Sequence, residues 1–343
     1  MADDQGGRRG HANMREVAER AGVAMSSVSR VLSGHPDVSP AMSARVMQAV
    51  AELDYQPNML AQSLRRRETL TVGFVVGDIS NPLFSEIVTG AESTFHSNGY
   101  SLLLTNSLGD PLLETAHIQL LAQRRVDGLV ISVLDETRVE TLARLRELDI
   151  PIVVIDRNVP PEIAASRVIS DHRSGMKAAT LHLLGLGHRR IALISGPEVR
   201  PAVERRAGLV EAFAERGLPA TYVLDEGSFS VEAGVAAMRR LLDSPDPPTA
   251  VIAGGNQLML GALRVATERH VRLGAELSFV GCDDVAITDL FQPPVAVVRR
   301  DNHTTGRTAA ELLLARLREG APPSDVLLPT EFVARPSCGP APR

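Results

Sequence analysis

From residue 71 onward the chain repeats one pattern. A short run dominated by Val, Ile, Leu and Ala is followed by a polar break, then by a longer stretch in which apolar residues recur every three or four positions. The short runs fall at 71–76, 101–105, 128–133, 152–155, 190–195, 250–253, 278–281 and 296–298. Continuous rather than alternating hydrophobicity predicts strands covered on both faces, as in a parallel sheet. The intervening stretches, 83–99 and 112–125 among them, predict helices. Strand and helix in alternation define a doubly wound α/β architecture. The segment is about twice the size of one such domain, which predicts two lobes.

The first part of the chain has another rhythm. Asn13 followed three positions later by Glu16 matches a capping box, and Val17, Ala18 and Ala21 then recur at helical spacing. Gly22-Val23 breaks that helix. A second short run, 25–32, places Val28, Val31 and Leu32 on one side and Ser26, Ser27, Ser29 and Arg30 on the other. After a loop at 33–36, Ser39 as cap and Pro40 in the first turn open a third helix that buries Val46, Val50 and Leu53. Three short helices with a Gly-containing turn between the first two make a helix-turn-helix. Its second helix is the candidate reader of the major groove, where Arg30 can pair bidentately with guanine or clamp a phosphate. The same spacing also describes a three-helix bundle used for protein contact, with Arg30 as solvated surface.

Charge sharpens this division. The whole chain carries a net charge of −5, yet residues 1–67 hold 9 Arg against 7 acidic residues while the rest holds 27 basic against 34 acidic residues. A mildly basic end on an acidic body keeps attraction to phosphate local. The two cysteines, Cys282 and Cys338, are far apart and fit neither a disulfide framework nor a zinc site, which suits a reducing cytoplasm. Aromatic residues make up only 3% and Trp is absent, so a stacking platform for single strands is not expected. The polar, Gly-rich residues 1–12 read as a disordered leader rather than a secretory signal, and no run suits a bilayer span. No membrane partner and no cofactor are expected.

The motifs then become specific. Arg15-Glu16-Val17-Ala18, Ala21-Gly22-Val23, Val28-Ser29-Arg30-Val31-Leu32, Tyr55-Gln56-Pro57-Asn58 and Ala61-Gln62-Ser63-Leu64 resemble the headpiece and hinge of the LacI/GalR repressor family, and the resemblance extends over nearly the whole chain from about residue 14. It implies a headpiece at 13–56, a hinge helix and linker at 57–69, and an effector-binding and dimerisation domain at 70–343. That domain is implied to be two-lobed and periplasmic-binding-protein-like, with crossings near 167–170, 297–300 and 326–329. The first lobe is then about 70–168 plus 299–327, and the second about 169–298 plus 328–340. The positions that open the recognition helix, and select the operator in the family, fall on Met25 and Ser26. Asn58 and Ala61 lie in the hinge motif, and Leu64 falls on the leucine that wedges into the minor groove. A segment of that length is too short for a stable isolated helix, so it is expected to order only when two copies meet on DNA. One departure stands at Ala24, where the family has a capping Ser.

No dinucleotide fingerprint, Walker A loop, nucleophile elbow or His-Glu-x-x-His motif occurs, so no enzymatic activity is expected. Ligands of open α/β sheets sit beyond the carboxyl ends of the strands. The candidate residues there are Asp78, Asn81 and the aromatic Phe84, Ser132, Asp156-Arg157, Arg200 and Arg205, Asn256, and Asp283-Asp284. Carboxylates and Arg around a cleft suit a polyhydroxylated ligand, since hydroxyls donate to one and accept from the other. The resemblance supports Asp283, Arg205, Asp156 and the 81–84 segment as effector contacts. Gly255-Asn256 and Cys282 depart from its pattern, which keeps a nucleobase or other metabolite as competitor to a sugar or sugar derivative.

A small helix-turn-helix reads too few base pairs alone, which predicts a homodimer on a palindromic DNA operator. The functional expectation is a cytoplasmic transcriptional repressor controlled by a small-molecule effector. The alternative is a non-enzymatic α/β carbohydrate-binding protein whose N-terminal helices serve protein contact.

Overall fold

The computed structural model describes residues 12–32, 35, 37–55 and 68–342. Asn58, Ala61, Leu64 and most of the expected hinge lie outside the described residues. The chain divides into two compact units, Met1–Thr69 and Leu70–Arg343.

The first unit contains α1 (Met14–Ala21), α2 (Met25–Leu32) and α3 (Pro40–Glu52). Asn13 forms a full capping box with Glu16, and Gly22 closes α1 in the left-handed region at φ 65°. Ser39 caps α3, with Pro40 in its first turn. Val17, Ala18, Ala21, Val28, Val46, Ala49 and Tyr55 form the core, with Val50 and Leu53 packed partly buried against it. Arg20 Nε donates to Glu52 Oε2 at 2.6 Å and ties α1 to α3.

The second unit holds two six-stranded sheets. In the first, β1 (Thr71–Val76), β2 (Ser101–Asn106), β3 (Gly128–Ile131), β4 (Ile152–Ile155), β5 (Ala165–Ser170) and β11 (Asp325–Leu328) lie in the order β2-β1-β3-β4-β5-β11, all parallel. The second consists of β6 (Ile191–Ser195), β7 (Tyr222–Glu226), β8 (Ala250–Ala253), β9 (Ser278–Cys282), β10 (Ala296–Arg299) and β12 (Glu331–Val333), ordered β7-β6-β8-β9-β10-β12. Only β12 runs antiparallel, against β10. The strands β5, β7, β11 and β12 were not expected from the hydrophobic pattern.

Each sheet is covered on both faces, which explains the continuous apolar runs. From β1, Val72, Phe74 and Val76 face one core, with residues of α4 (Pro82–Ser97) and α12 (Asn302–Glu319), while Val75 faces another, with α5 (Pro111–Gln123) and α6 (Val139–Arg146). In the second sheet, Ala192 and Ile194 join α9 (Val231–Leu242) and α10 (Asn256–Glu268); Ile191 and Leu193 join α7 (His172–Gly185) and α8 (Arg200–Glu215). The short helix α11 (Ala286–Leu290) follows β9.

The two lobes repeat one another. Gly90 of α4 lies against the His303 carbonyl oxygen, 2.1 Å from where a Cβ would stand, and Gly208 of α8 lies against that of Arg173 at 2.2 Å. Asp171 and Asp301 cap α7 and α12 through the amides of Ser174 and Thr304. The chain passes between sheets at 171, at 300–301 and at 329–330, slightly beyond the expected positions, because the last residues of β5, β10 and β11 are still paired.

Candidate functional site

Two surfaces carry the sequence-predicted residues. In the first unit, α2 exposes Met25, Ser26 and Arg30, half-buries Ser27 and Ser29, and buries Val28 in the headpiece core. Ala24 precedes it without a capping oxygen; its carbonyl accepts from Ser27 N at 2.9 Å and Val28 N at 3.2 Å.

In the second unit, a cavity of about 730 Å³ opens between the lobes beyond the carboxyl ends of the strands. Asn81, Phe84, Ser132, Asp156, Arg205, Asn256 and Asp283 all line it, as do Asp78 and Arg157. Asn81 caps α4 through Leu83 N at 3.1 Å, and its Oδ1 also accepts from Asn256 Nδ2 at 2.6 Å, a bond between the lobes. Arg205 is buried and donates through Nη1 to the Gly254 carbonyl at 2.7 Å. Arg157 donates to the carbonyls of Val133 and Asp156, which fixes its guanidinium at the first lobe's edge.

Arg200, expected as an effector contact, does not line the cavity and instead makes a contact between the lobes. It is the first residue of α8; its amide donates to Glu136 Oε1 at 2.8 Å, and its Nη1 reaches Asn158 Oδ1 at 3.4 Å. Asp284 also turns away, into a bidentate pair with Arg335.

The floor of the cavity is a buried charge cluster that includes a residue the strand-end rule does not reach. Arg300 Nε donates to Asp283 Oδ1 at 2.9 Å, and its Nη1 donates to Asp156 Oδ2. Asp156 further accepts from Ser170 N at 2.6 Å and Ser170 Oγ at 3.0 Å, and His172 Nε2 lies 3.3 Å from it. Burial opposes ionisation of Asp156, but the charges of its partners and the Ser170 amide outweigh it and hold the carboxyl well below the usual range. Asp283 is lowered likewise, burial being outweighed by Arg300 and Arg205. Burial, only partly countered by Asp156 and reinforced by Arg205 and Arg300, pushes His172 down to about 4, so it is neutral at pH 7. Burial raises the Cys282 thiol to about 11, leaving it unreactive.

Arg300, His172 and Phe229 were missed in the sequence. Phe229, in the loop after β7, packs so closely on Gly196 and Gly255 that a Cβ on either would lie 2.3 Å and 3.2 Å from its ring. Its only sequence signal was a lone aromatic ahead of the α9 cap Ser230. Among the described residues no group of His, Cys, Asp and Glu could hold a metal ion, and no helix is long and apolar enough to cross a membrane.

A headpiece that presents a short polar helix and a two-lobed domain with a polar cleft at the strand ends define a ligand-responsive DNA-binding regulator. Comparison agrees. Residues 13–58 match the profile described as bacterial regulatory proteins, lacI family, and 180–338 match that of the periplasmic binding protein-like domain. The HTH-type transcriptional repressor PurR of Vibrio atlanticus (strain LGP32) is 33% identical over 90% of this chain and 92% of that protein. The ribose operon repressor of Escherichia coli (strain K12) is 33% identical over 90% of this chain and 94% of its own length. A lac repressor dimer bound to operator and the anti-inducer ONPF superposes with a TM-score of 0.83 at 29% identity, covering 95% of this chain and 98% of that one. A complex of the transcriptional regulator CelR with cellobiose gives a TM-score of 0.71 at 33% identity, covering 95% and 99%. The chain belongs to the lacI family of bacterial regulatory proteins. It is a DNA-binding transcriptional regulator and not an enzyme.

Proposed function

We propose that the protein is a cytoplasmic repressor that binds a palindromic operator as a homodimer and is released or recruited by a polyhydroxylated effector, a sugar or sugar derivative, in the cleft between its lobes. The observation that carries this reading is the joint lining of one cavity by Asn81, Asp156, Arg205, Asn256 and Asp283, drawn from both lobes. Such a set offers carboxylate acceptors together with amide and guanidinium donors, the two partners that a ring hydroxyl can use. The solved structures with cellobiose and with bound ribose support the same ligand class. Met25, Ser26, Ser27, Ser29 and Arg30 face the operator's major groove in this reading, and Asn58, Ala61 and Leu64 its central minor groove. An effector changes operator affinity only by binding one arrangement of the lobes better than the other.

A nucleobase is the second reading, favoured by Phe84 and Phe229 in the same cavity, whose rings could stack on a planar heterocycle. Thermal-shift titration of the full chain against pentoses, hexoses, disaccharides and nucleobases separates the two, because a ligand of the native state raises its melting point. Duplex binding at rising salt tests the DNA arm, for which a steep negative slope is expected. A flat slope would remove the repressor reading.

A further inference from the structure

Arg300 stands at the second crossing, between β10 of the second sheet and α12, which packs on β3, β4 and β5 of the first. The internal repeat makes its role visible. In the first lobe the Asp156 amide donates to the Val168 carbonyl, and Ser170, two residues beyond Val168, returns its amide and hydroxyl to Asp156. In the second lobe the Asp283 amide donates to the Val298 carbonyl, and the residue two beyond Val298 is Arg300. A serine there reaches only its own lobe's aspartate. The arginine reaches both: its Nε holds Asp283, while Nη1 crosses to Asp156 and stands 3.4 Å from Ser170 Oγ. The three side chains are almost sealed, at 9% exposure for Arg300 and 4% for each aspartate.

We propose that Arg300 is a positioning residue, a pin carried by the chain itself that ties the strand-end carboxylates of the two lobes together and sets the resting position of the cleft. All donors and acceptors of the pin belong to the chain, so it needs no effector to form. Parting the lobes draws the guanidinium away from at least one carboxylate and leaves a buried charge uncompensated. The bonds Asn256–Asn81 and Arg200–Glu136 join the same two lobes at other lining and rim positions and break with it. An effector that reaches for Asp283 competes with Arg300 for its oxygens. The pin therefore sets how large a difference in affinity between the two arrangements an effector must supply. This holds whichever ligand enters, so its test is separate from the ligand panel.

The test is hydrogen–deuterium exchange of the full-length chain as wild type, Arg300→Gln and Arg300→Lys. Lysine keeps a compensating charge for the buried carboxylates but replaces a planar fork by a single ammonium that cannot address two acceptors in the same way. The expected result is faster exchange in the cleft segments 77–84, 132–138, 196–206 and 254–257, by about tenfold or more for Gln and less for Lys, with wild-type rates in β1, β3, β6 and β8. Unchanged cleft rates overturn the proposal, and so does a rise shared equally by cleft and strands, which marks a folding role. If Arg300→Gln does not fold, the same comparison on Arg300→Lys decides, with any selective rise in the cleft segments as the expected result.

Discussion

Asp156 and Asp283 occupy the same place in the two lobes: each follows the fourth strand of its repeat in the left-handed region, at φ 49° and 74°, with its amide bonded at 2.9 Å to the neighbouring strand. Aspartate tolerates this conformation better than most residues because its short polar side chain can bond locally. The tight turn ends the strand while its carboxylate joins the cavity wall. Backbone conformation, charge and ligand access thus converge on one residue type.

Substitution at Asp283 separates these roles. Asp283→Ala removes one partner of a buried ion pair, a loss of about 3–5 kcal/mol, and adds about 1 kcal/mol for a left-handed alanine. Asp283→Asn keeps the tolerance of positive φ and an acceptor for Arg300, so it is expected to lose less. Urea unfolding of the two variants checks this; equal midpoints would mean that neither the acceptor offered to Arg300 nor the turn matters. Operator affinity of the Asn variant is expected to stay near wild type while its effector response falls.

The parts of the fold legible in the sequence were those whose environment repeats along the chain. Central strands such as Ile152–Ile155 and Ala250–Ala253 are buried on both faces and read as unbroken apolar runs. The strands missed were β7, β11 and β12, where exposed or half-buried residues such as Asp225, Glu226, Asp325 and Glu331 break the run, and β5, which carries Arg167. The cleft residues followed from the strand-end rule because that rule is topological. Arg200 and Arg205 looked alike in sequence, but five residues on a helix lie about 140° apart around its axis, so only one of them faces the cavity. Arg300 and His172 were out of reach because their partners are set by where the chain crosses between lobes.

Close approach of α4 and α12 gives a contrast between two glycines. A Cβ on Gly306 would stand 1.8 Å from the Ile87 carbonyl oxygen, whereas one on Gly320 meets nothing within 4 Å and only the strain of φ 64°. Gly320→Ala is expected to destabilise by about 1 kcal/mol. Gly306→Ala must move backbone, and about 3 kcal/mol or more is expected, the upper range for overpacking. Chemical denaturation that gave the two variants equal stabilities would contradict this packing.

Glu114 gives a pH dependence of definite sign. It is fully buried in the first turn of α5, its Oε2 accepting from Leu134 N at 2.9 Å, and burial pushes its carboxyl up to about 7 against the favourable amide and the charges of Arg157 and Arg138. The folded state therefore holds a proton that the unfolded chain releases above its ordinary value of 4.5. Glu114's contribution to stability is full below that value and is lost as pH rises to about 7, by roughly 3 kcal/mol. His172, pushed down to about 4, acts oppositely: its contribution is full above its ordinary value of 6.5 and is lost as pH falls towards 4. Comparison with Glu114→Gln isolates the first effect. The Gln variant is expected to gain on wild type as pH rises from 5 to 8; a constant gap would mean that Glu114 is ionised in the fold throughout.

The headpiece carries one unfilled position that can be completed. Asn13 and Ser39 cap α1 and α3 with side-chain oxygens, but α2 begins after Ala24, whose methyl can accept nothing. Ala24→Ser places a hydroxyl near the Ser27 amide, which bonds to the Ala24 carbonyl at 2.9 Å. A serine cap in place of alanine is worth about 1 kcal/mol. Amide exchange in residues 25–32 should slow by about fivefold, the equilibrium factor that this free energy represents. Operator affinity should rise by up to the same factor, because a helix ordered in advance loses less freedom on binding. Slower exchange with unchanged affinity would show that α2 is fully formed before it meets DNA. Unchanged exchange would show that the first turn of α2 does not limit its opening.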